Sequence, residues 1–167
     1  MTRRLAHHGR NEAFADAPPE AVFAIICDVT RVGEWSHECR GARWVGPENA
    51  AGPGVRFRGT NRSGIYLWNR SCVFTVVEPP RVLAWKTIGL MGKIDSTEWR
   101  ITLEPEANGT RIVQTYDSLH VARGFDRFYW WLIKGHRDRR AALAEDLERL
   151  AGLAAARPRT RLPTHNA

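Results

Sequence analysis

VARGFDRFYWWLIKGHRDRRAALAEDLERLAGLAAA, residues 121–156, is the stretch that sets what the rest of the chain must do. It contains no proline, and most of its residues are good helix formers. Phe125, Phe128, Leu132, Leu143, Leu147, Leu150 and Ala154 recur at three- and four-residue steps, which places them on one helical face. About 33 helical residues, at about 1.5 Å per residue, would reach roughly 50 Å. Intrinsic propensity does not hold such a helix in water, so it needs a broad apolar partner. Gly135 predicts a kink, since glycine in mid-helix costs about 1 kcal/mol against alanine. Residues 125–133 (FDRFYWWLI) are apolar almost all round, whereas an ordinary surface helix keeps one polar side.

The partner precedes the helix. From Arg43 the apolar period changes to two, with strands expected at 42–46, 54–62, 66–78, 81–89, 94–104 and 109–118. Gly-Pro-Glu-Asn, Gly-Pro-Gly, Ser-Gly, Glu-Pro-Pro-Arg, Gly-Leu-Met-Gly and Glu-Ala-Asn-Gly separate them, and short links imply antiparallel pairing. Further upstream, residues 11–15 (NEAFA) read as a first strand. A helix over 18–27 follows, with Asp16 or Ala17 at its cap, and a second short helix over 29–35. Residues 1–10 are expected to be a flexible N-terminus and 157–167 (RPRTRLPTHNA) a disordered tail. The expected fold is a single α+β domain over 11–156. A curved antiparallel sheet of about seven strands wraps around the long C-terminal helix, and two short helices follow the first strand.

Composition limits the alternatives. At 167 residues with 43% hydrophobic and 26% charged side chains, the chain can build a full core. No run approaches the 18 or so apolar residues of a membrane span. The start, MTRRLAHHGR, lacks the apolar core of a signal peptide. Three cysteines without a CxxC pair suit a reducing, cytoplasmic setting. The net charge is +7, and all but three of the 25 basic residues are arginine. They are scattered, with no basic block and no nucleic-acid motif, so no nucleic-acid partner is expected. A solvated arginine-rich surface accounts for them, or else a transient contact with an anionic membrane.

Several segments together carry a resemblance: PPEAVFAIICDVTRVGEW (18–35), GVRFRGTNRSG (54–64), VFTVVEPPRVLAWKT (73–87), STEWRITLEP (96–105), NGTRIVQTYD (108–117) and the closing amphipathic helix. In this order the chain resembles the START-like (SRPBCC) superfamily of polyketide cyclase/dehydrase and lipid-transport-like proteins over about residues 11–156. The resemblance implies the helix-grip fold and a deep hydrophobic cavity between sheet and C-terminal helix. Activities in that superfamily range from aromatase/cyclases to lipid carriers and hormone receptors, so the fold alone does not choose among them.

Alternation assigns the faces. Phe57, Gly59 and Asn61 share one side of their strand, as do Trp68, Arg70, Cys72 and Phe74, then Leu83, Trp85 and Thr87. Thr97, Trp99, Ile101 and Leu103 form a further set, and Ile112, Gln114 and Tyr116 the last. The expected ligand-facing residues are therefore Asn61, Trp68, Arg70, Trp85, Thr87, Thr97, Trp99, Gln114 and Tyr116, joined by Phe125, Phe128 and Trp131 from the helix. Aromatic surface with a few orienting polar groups is what a small-molecule pocket needs; the same tryptophans could also simply fill the core. If inward, Arg70 needs a carboxylate, a ligand anion or water; at a strand end it would reach solvent. In aromatase/cyclases of the resembled family, arginines inside the pocket hold polyketide oxygens.

Recognisable catalytic constellations are missing: there is no HExxH, P-loop, GxSxG or dinucleotide fingerprint. His37-Glu38-Cys39 points in alternating directions, so no metal is expected there, and no cofactor is expected anywhere. His37 with Glu38 would be the acid/base pair if there is one. The expected function is binding, with or without transport, of a hydrophobic small molecule such as a lipid or polyketide. The alternative is a polyketide aromatase/cyclase or dehydrase, in which Arg70, Tyr116 or His37 assists proton transfer on a chain held in place. A regulatory protein using its basic surface is a third class. The protein is expected to be a monomer or homodimer. Two readings stand for residues 121–134: with 89–93 they form the cavity's portal, hinged near Gly135 and touching a membrane or donor protein during loading, or this half-helix caps the barrel mouth or buries itself in a dimer contact.

Overall fold

Residues 8–89, 95–121 and 139–156 are described by the computed structural model. They form seven strands: β1 (His8–Ala15), β2 (Cys39–Val45), β3 (Arg56–Ser63), β4 (Tyr66–Glu78), β5 (Val82–Ile88), β6 (Asp95–Glu106) and β7 (Gly109–Val121). Every pairing is antiparallel, in the order β1-β7-β6-β5-β4-β3-β2. Six strands pair with their sequence neighbours, while β1 crosses to the far edge and joins β7. Between β1 and β2 lie helix α1 (Pro19–Ile26), a single 3-10 turn (Val29–Arg31) and helix α2 (Val32–Trp35). Helix α3 (Arg139–Ala155) closes the described chain. This is the α+β helix-grip architecture expected from the sequence.

The boundaries shift in instructive places. β1 starts at His8, so residues 8–10, expected to be loose, pair with Asp117, Tyr116 and Thr115 of β7. The cap of α1 is Pro18 rather than Asp16 or Ala17; Pro19 occupies the first helical position, where its missing N–H costs nothing. β7 runs on to Val121, the residue where the long helix was expected to begin, because Val121 and His120 still have partners in Asp95 and Ser96. Residues 122–138, and with them the kink at Gly135, lie outside the described residues, as do 90–94 and 157–167.

The core forms where α1 and α3 meet the sheet. Val22, Ile25 and Ile26 of α1 pack with Leu147, Leu150 and Ala154 of α3 and with Phe74, Leu83, Ile101, Leu103 and Ile112 of the strands. The apolar stripe Leu143, Leu147, Leu150 and Ala154 is buried throughout, as its spacing demands. α3 packs on β1, α1 and α2. The buried Thr110 hydroxyl donates to Ala17 O at 2.7 Å, tying the start of β7 to the segment leading into α1. Among the described residues no helix is long and apolar enough to cross a membrane.

Candidate functional site

Register brings together residues that are far apart in sequence. Gly9, Tyr116, Trp99, Trp85 and Phe74 are successive Cα partners across β1, β7, β6, β5 and β4, so they occupy one level of the inner face. Tyr116 and Trp99 have ring centroids 5.2 Å apart, and Trp99 stacks on Trp85 at 6.3 Å with 10° between planes. Phe74 continues the band, 4.8 Å from Phe57 and 6.2 Å from Trp44. Gly9 is the small end of this row. A Cβ there would collide with the Tyr116 ring, coming within 2.7 Å of its Cζ, so only glycine lets the ring lie over β1.

The next level adds the polar groups. Asn11 pairs with Gln114, two residues along the strands from Gly9 and Tyr116. Asn11 Nδ2, Gln114 Oε1 and the Tyr116 hydroxyl are buried, and none has a hydrogen-bond partner among the described residues. Gln114 and Tyr116 are each only 3% exposed. Burying such a group unpaired costs about 1–3 kcal/mol, so three together beside an aromatic band need an explanation. They supply an amide donor, a carbonyl acceptor and a phenol able to play either part.

The other expected ligand-facing residues fall into three groups. Asn61, Trp68 and Arg70 are half-buried on the inner side of β3 and β4, with Asn61 opposite Trp68 and Arg70 opposite Gly59. Thr87 and Thr97 are joined to each other: Thr87 Oγ1 accepts from Thr97 N at 2.9 Å and donates to Thr97 O at 3.2 Å. That hydroxyl carries the β5–β6 connection past the last paired residues, Lys86 and Glu98. Phe125, Phe128 and Trp131 lie outside the described residues, as does most of the expected portal. Asn11 is a candidate that sequence reading misses; its alternation with the buried Ala13 and Ala15 is the available signal.

His37 is placed differently from expectation. Its Nδ1 lies 2.7 Å from Asp146 Oδ2 of α3, and its backbone N donates to Asp146 Oδ1 at 2.8 Å, so its carboxylate partner is Asp146 and not the neighbouring Glu38. Arg149 also donates to Asp146, whose carboxylate is thereby satisfied although only 2% exposed. The Asp146 hydrogen bond raises the His37 pKa above its ordinary value, opposed by burial and by Arg149 and supported by the charges of Asp146 and Glu38. Neither inner-face thiol is primed as a nucleophile. Burial pushes Cys72 up to about 12, with Cys39 adding to the rise and Arg70 opposing it. Burial likewise raises Cys39. Among the described residues no three His, Cys, Asp or Glu side chains are placed to hold a metal.

An open depression of about 440 Å³ is lined by His8, Gly9, Glu98, Arg100, Thr115, Tyr116 and Asp117. Glu98, Arg100, Thr115 and Asp117 alternate with Trp99 and Tyr116 and so belong to the opposite face of the sheet. Its charged side chains do not resemble the apolar lining of a small-molecule site, so the inner-face band is the stronger candidate.

Comparison with known proteins agrees with the fold. The family model for polyketide cyclase/dehydrase and lipid transport proteins matches residues 7–153. The chain belongs to that family. No curated protein sequence matches this member of it. Among solved structures, the family member is similar to the Zhui aromatase/cyclase from Streptomyces sp. R1128. That match has a TM-score of 0.71 and 17% identity, covering 92% of this chain and 96% of that one. A Thermus thermophilus protein matches with a TM-score of 0.65 and 20% identity, over 89% of this chain and 97% of its own. A Chromobacterium violaceum protein matches with a TM-score of 0.63 and 15% identity, over 90% and 99%. At these identities the likeness is one of fold.

Proposed function

We propose that this protein binds a planar, apolar small molecule bearing oxygen substituents, of the polyketide or lipid class, against the inner face of β1, β7, β6 and β5. One observation carries the reading: the unpartnered Asn11 Nδ2, Gln114 Oε1 and Tyr116 hydroxyl stand beside the Tyr116–Trp99–Trp85 band. An apolar ring system would stack on the indoles, and its oxygens would meet the donor, the acceptor and the phenol. The family description, polyketide cyclase/dehydrase and lipid transport, supports the same ligand class.

The test is a titration with paired ligands, a hydroxylated polycyclic aromatic and the same ring system without oxygens. Both should shift the tryptophan emission, and the oxygenated one should bind about tenfold or more tightly, the worth of one or two hydrogen bonds. Equal affinity, or no shift with either, would count against the site. A second reading is catalysis of cyclisation, favoured by the Tyr116 hydroxyl beside the band and by the likeness to an aromatase/cyclase. With both inner-face thiols raised by burial, such chemistry would rest on holding the chain in a reactive conformation, with the Tyr116 hydroxyl donating or accepting a proton.

A further inference from the structure

The outer face of the sheet carries its charge unevenly. At the β1–β7–β6 side, Arg111 pairs with Glu104, with Glu106 at 3.2 Å and with Glu12 at 3.7 Å, and Arg10 pairs with Glu12. Charges there are balanced. At the other side, Arg43 of β2 and Arg56, Arg58 and Arg62 of β3 project outward, alternating with inward Ala42, Trp44, Phe57, Gly59 and Asn61. The outward positions of β4 beside them are Leu67, Asn69, Ser71 and Val73, so no acidic side chain faces the arginines from either neighbouring strand. The nearest acids in sequence, Glu38 and Glu48, stand before β2 and in the β2–β3 loop. Among the described residues Arg43, Arg56 and Arg58 form no ion pair.

Two features of this corner are costly. Arg43 and Arg58 are direct cross-strand partners, and like charges directly opposite destabilise a sheet. Charge on an edge strand can serve to block edge-to-edge aggregation, but β3 is an interior strand, and it carries three of the four arginines. The β3–β4 hairpin then ends in a protruding apolar tip: Ile65 is 87% exposed, Leu67 68% and Tyr66 47%. Gly64, at φ +60°, makes the tight turn that thrusts them out. Leu67 is the register partner of Arg62, so the tip and the arginine face form one continuous surface.

We propose that this corner docks the protein on an anionic membrane surface. The arginines of β2 and β3 would lie on the lipid phosphates and carboxylates, and Ile65, Tyr66 and Leu67 would enter the interface. Arginine's planar fork matches phosphate and carboxylate oxygens in pairs. Tyrosine favours the headgroup level, and aliphatic side chains add buried area below it. Nucleic acid also offers phosphates, but the sequence carries no nucleic-acid-binding motif, and an exposed Ile-Tyr-Leu tip beside arginines fits the layered polar and apolar depth of a lipid interface. The proposal is independent of the ligand site on the opposite face.

The experiment is co-sedimentation of the full chain with phosphatidylcholine vesicles, with and without phosphatidylserine, at low and high salt. Two variants are compared with wild type, Arg56→Gln/Arg58→Gln and Ile65→Ser/Leu67→Ser. All four positions are exposed, and a thermal melt verifies that each variant is folded. Expected is binding to the phosphatidylserine vesicles only, lost at high salt, and weakened about tenfold or more by the arginine pair, since each basic residue near the surface matters severalfold. The tip variant should also bind less. Absence of sedimentation with anionic vesicles, or equal sedimentation of all three proteins, overturns the proposal. So does a duplex or single-stranded oligonucleotide that binds wild type and the tip variant equally and strips both from vesicles.

Discussion

Tyr116 joins the aromatic band and the unpartnered polar groups in one side chain. Its ring lies 5.2 Å from Trp99, and its buried hydroxyl has no partner among the described residues. A hydroxyl in that setting weakens the folded protein unless something else meets it. Tyr116→Phe should therefore leave thermal stability unchanged or raised, by up to about 1 kcal/mol, while reducing the extra affinity for an oxygenated ligand. Calorimetric melts with and without ligand separate the two effects. A loss of stability in the free protein would mean that the hydroxyl is bonded within the fold. Gly9→Ala probes the same ring from the opposite strand. The new methyl would overlap the edge of the Tyr116 ring, so the ring must move and the Tyr116–Trp99 contact with it. Circular dichroism in the near ultraviolet should change, and ligand affinity should fall although no ligand-facing atom has been removed. An unchanged spectrum would show that the ring does not lie over Gly9.

At the scale of elements, the His37–Asp146–Arg149 group fastens α3 to the segment between α2 and β2. His37 gains a partner on folding, and its pKa is raised above the ordinary 6.5, chiefly by the Asp146 hydrogen bond. The protonated ring thus binds its proton more tightly folded than unfolded. The stability it adds is fully present below about pH 6.5 and is lost as pH rises through the folded value. Glu38 reinforces the shift and Arg149 opposes it. The difference in melting temperature between wild type and His37→Gln should be largest in mild acid and shrink toward alkaline pH. A difference that is constant with pH would assign His37 a purely packing role. Asp146→Asn should remove most of the pH dependence that His37 contributes and lower stability by roughly 1–3 kcal/mol, because the carboxylate holds a backbone N–H as well as the ring.

For the whole molecule, one core joins α1, α3 and the sheet, so these layers should unfold together. Leu147, fully buried in that core, is a direct probe. Leu147→Ala should cost about 2–5 kcal/mol, with the far-ultraviolet and tryptophan-fluorescence transitions moving together. Separated transitions would show that α3 and the sheet fold as independent units. The charge distribution is also a property of the whole. A net charge of +7 says little about partners, whereas four arginines gathered at one corner of the outer face, beside an apolar hairpin tip, support a specific one.

Much of this protein is written locally in its sequence. Period-two alternation assigned the inner and outer faces of β3 to β7, because side chains in a strand alternate whatever the strand pairs with. The three- and four-residue spacing of Leu143, Leu147, Leu150 and Ala154 likewise foretold the buried side of α3, since helical periodicity is set by the backbone. The strand ends were less legible. β1 from His8 and β7 to Val121 are held by partners more than 90 residues away or across a hairpin, and propensity carries no record of those partners. The candidate site was half visible. Trp85, Trp99, Gln114 and Tyr116 could be assigned a face, but not a level on it. That Gly9, Tyr116, Trp99 and Trp85 stand in one row, that Asn11 joins Gln114, and that Asp146 rather than Glu38 meets His37 are matters of register and packing. These contacts form between segments distant in sequence, and only the closed tertiary structure decides them.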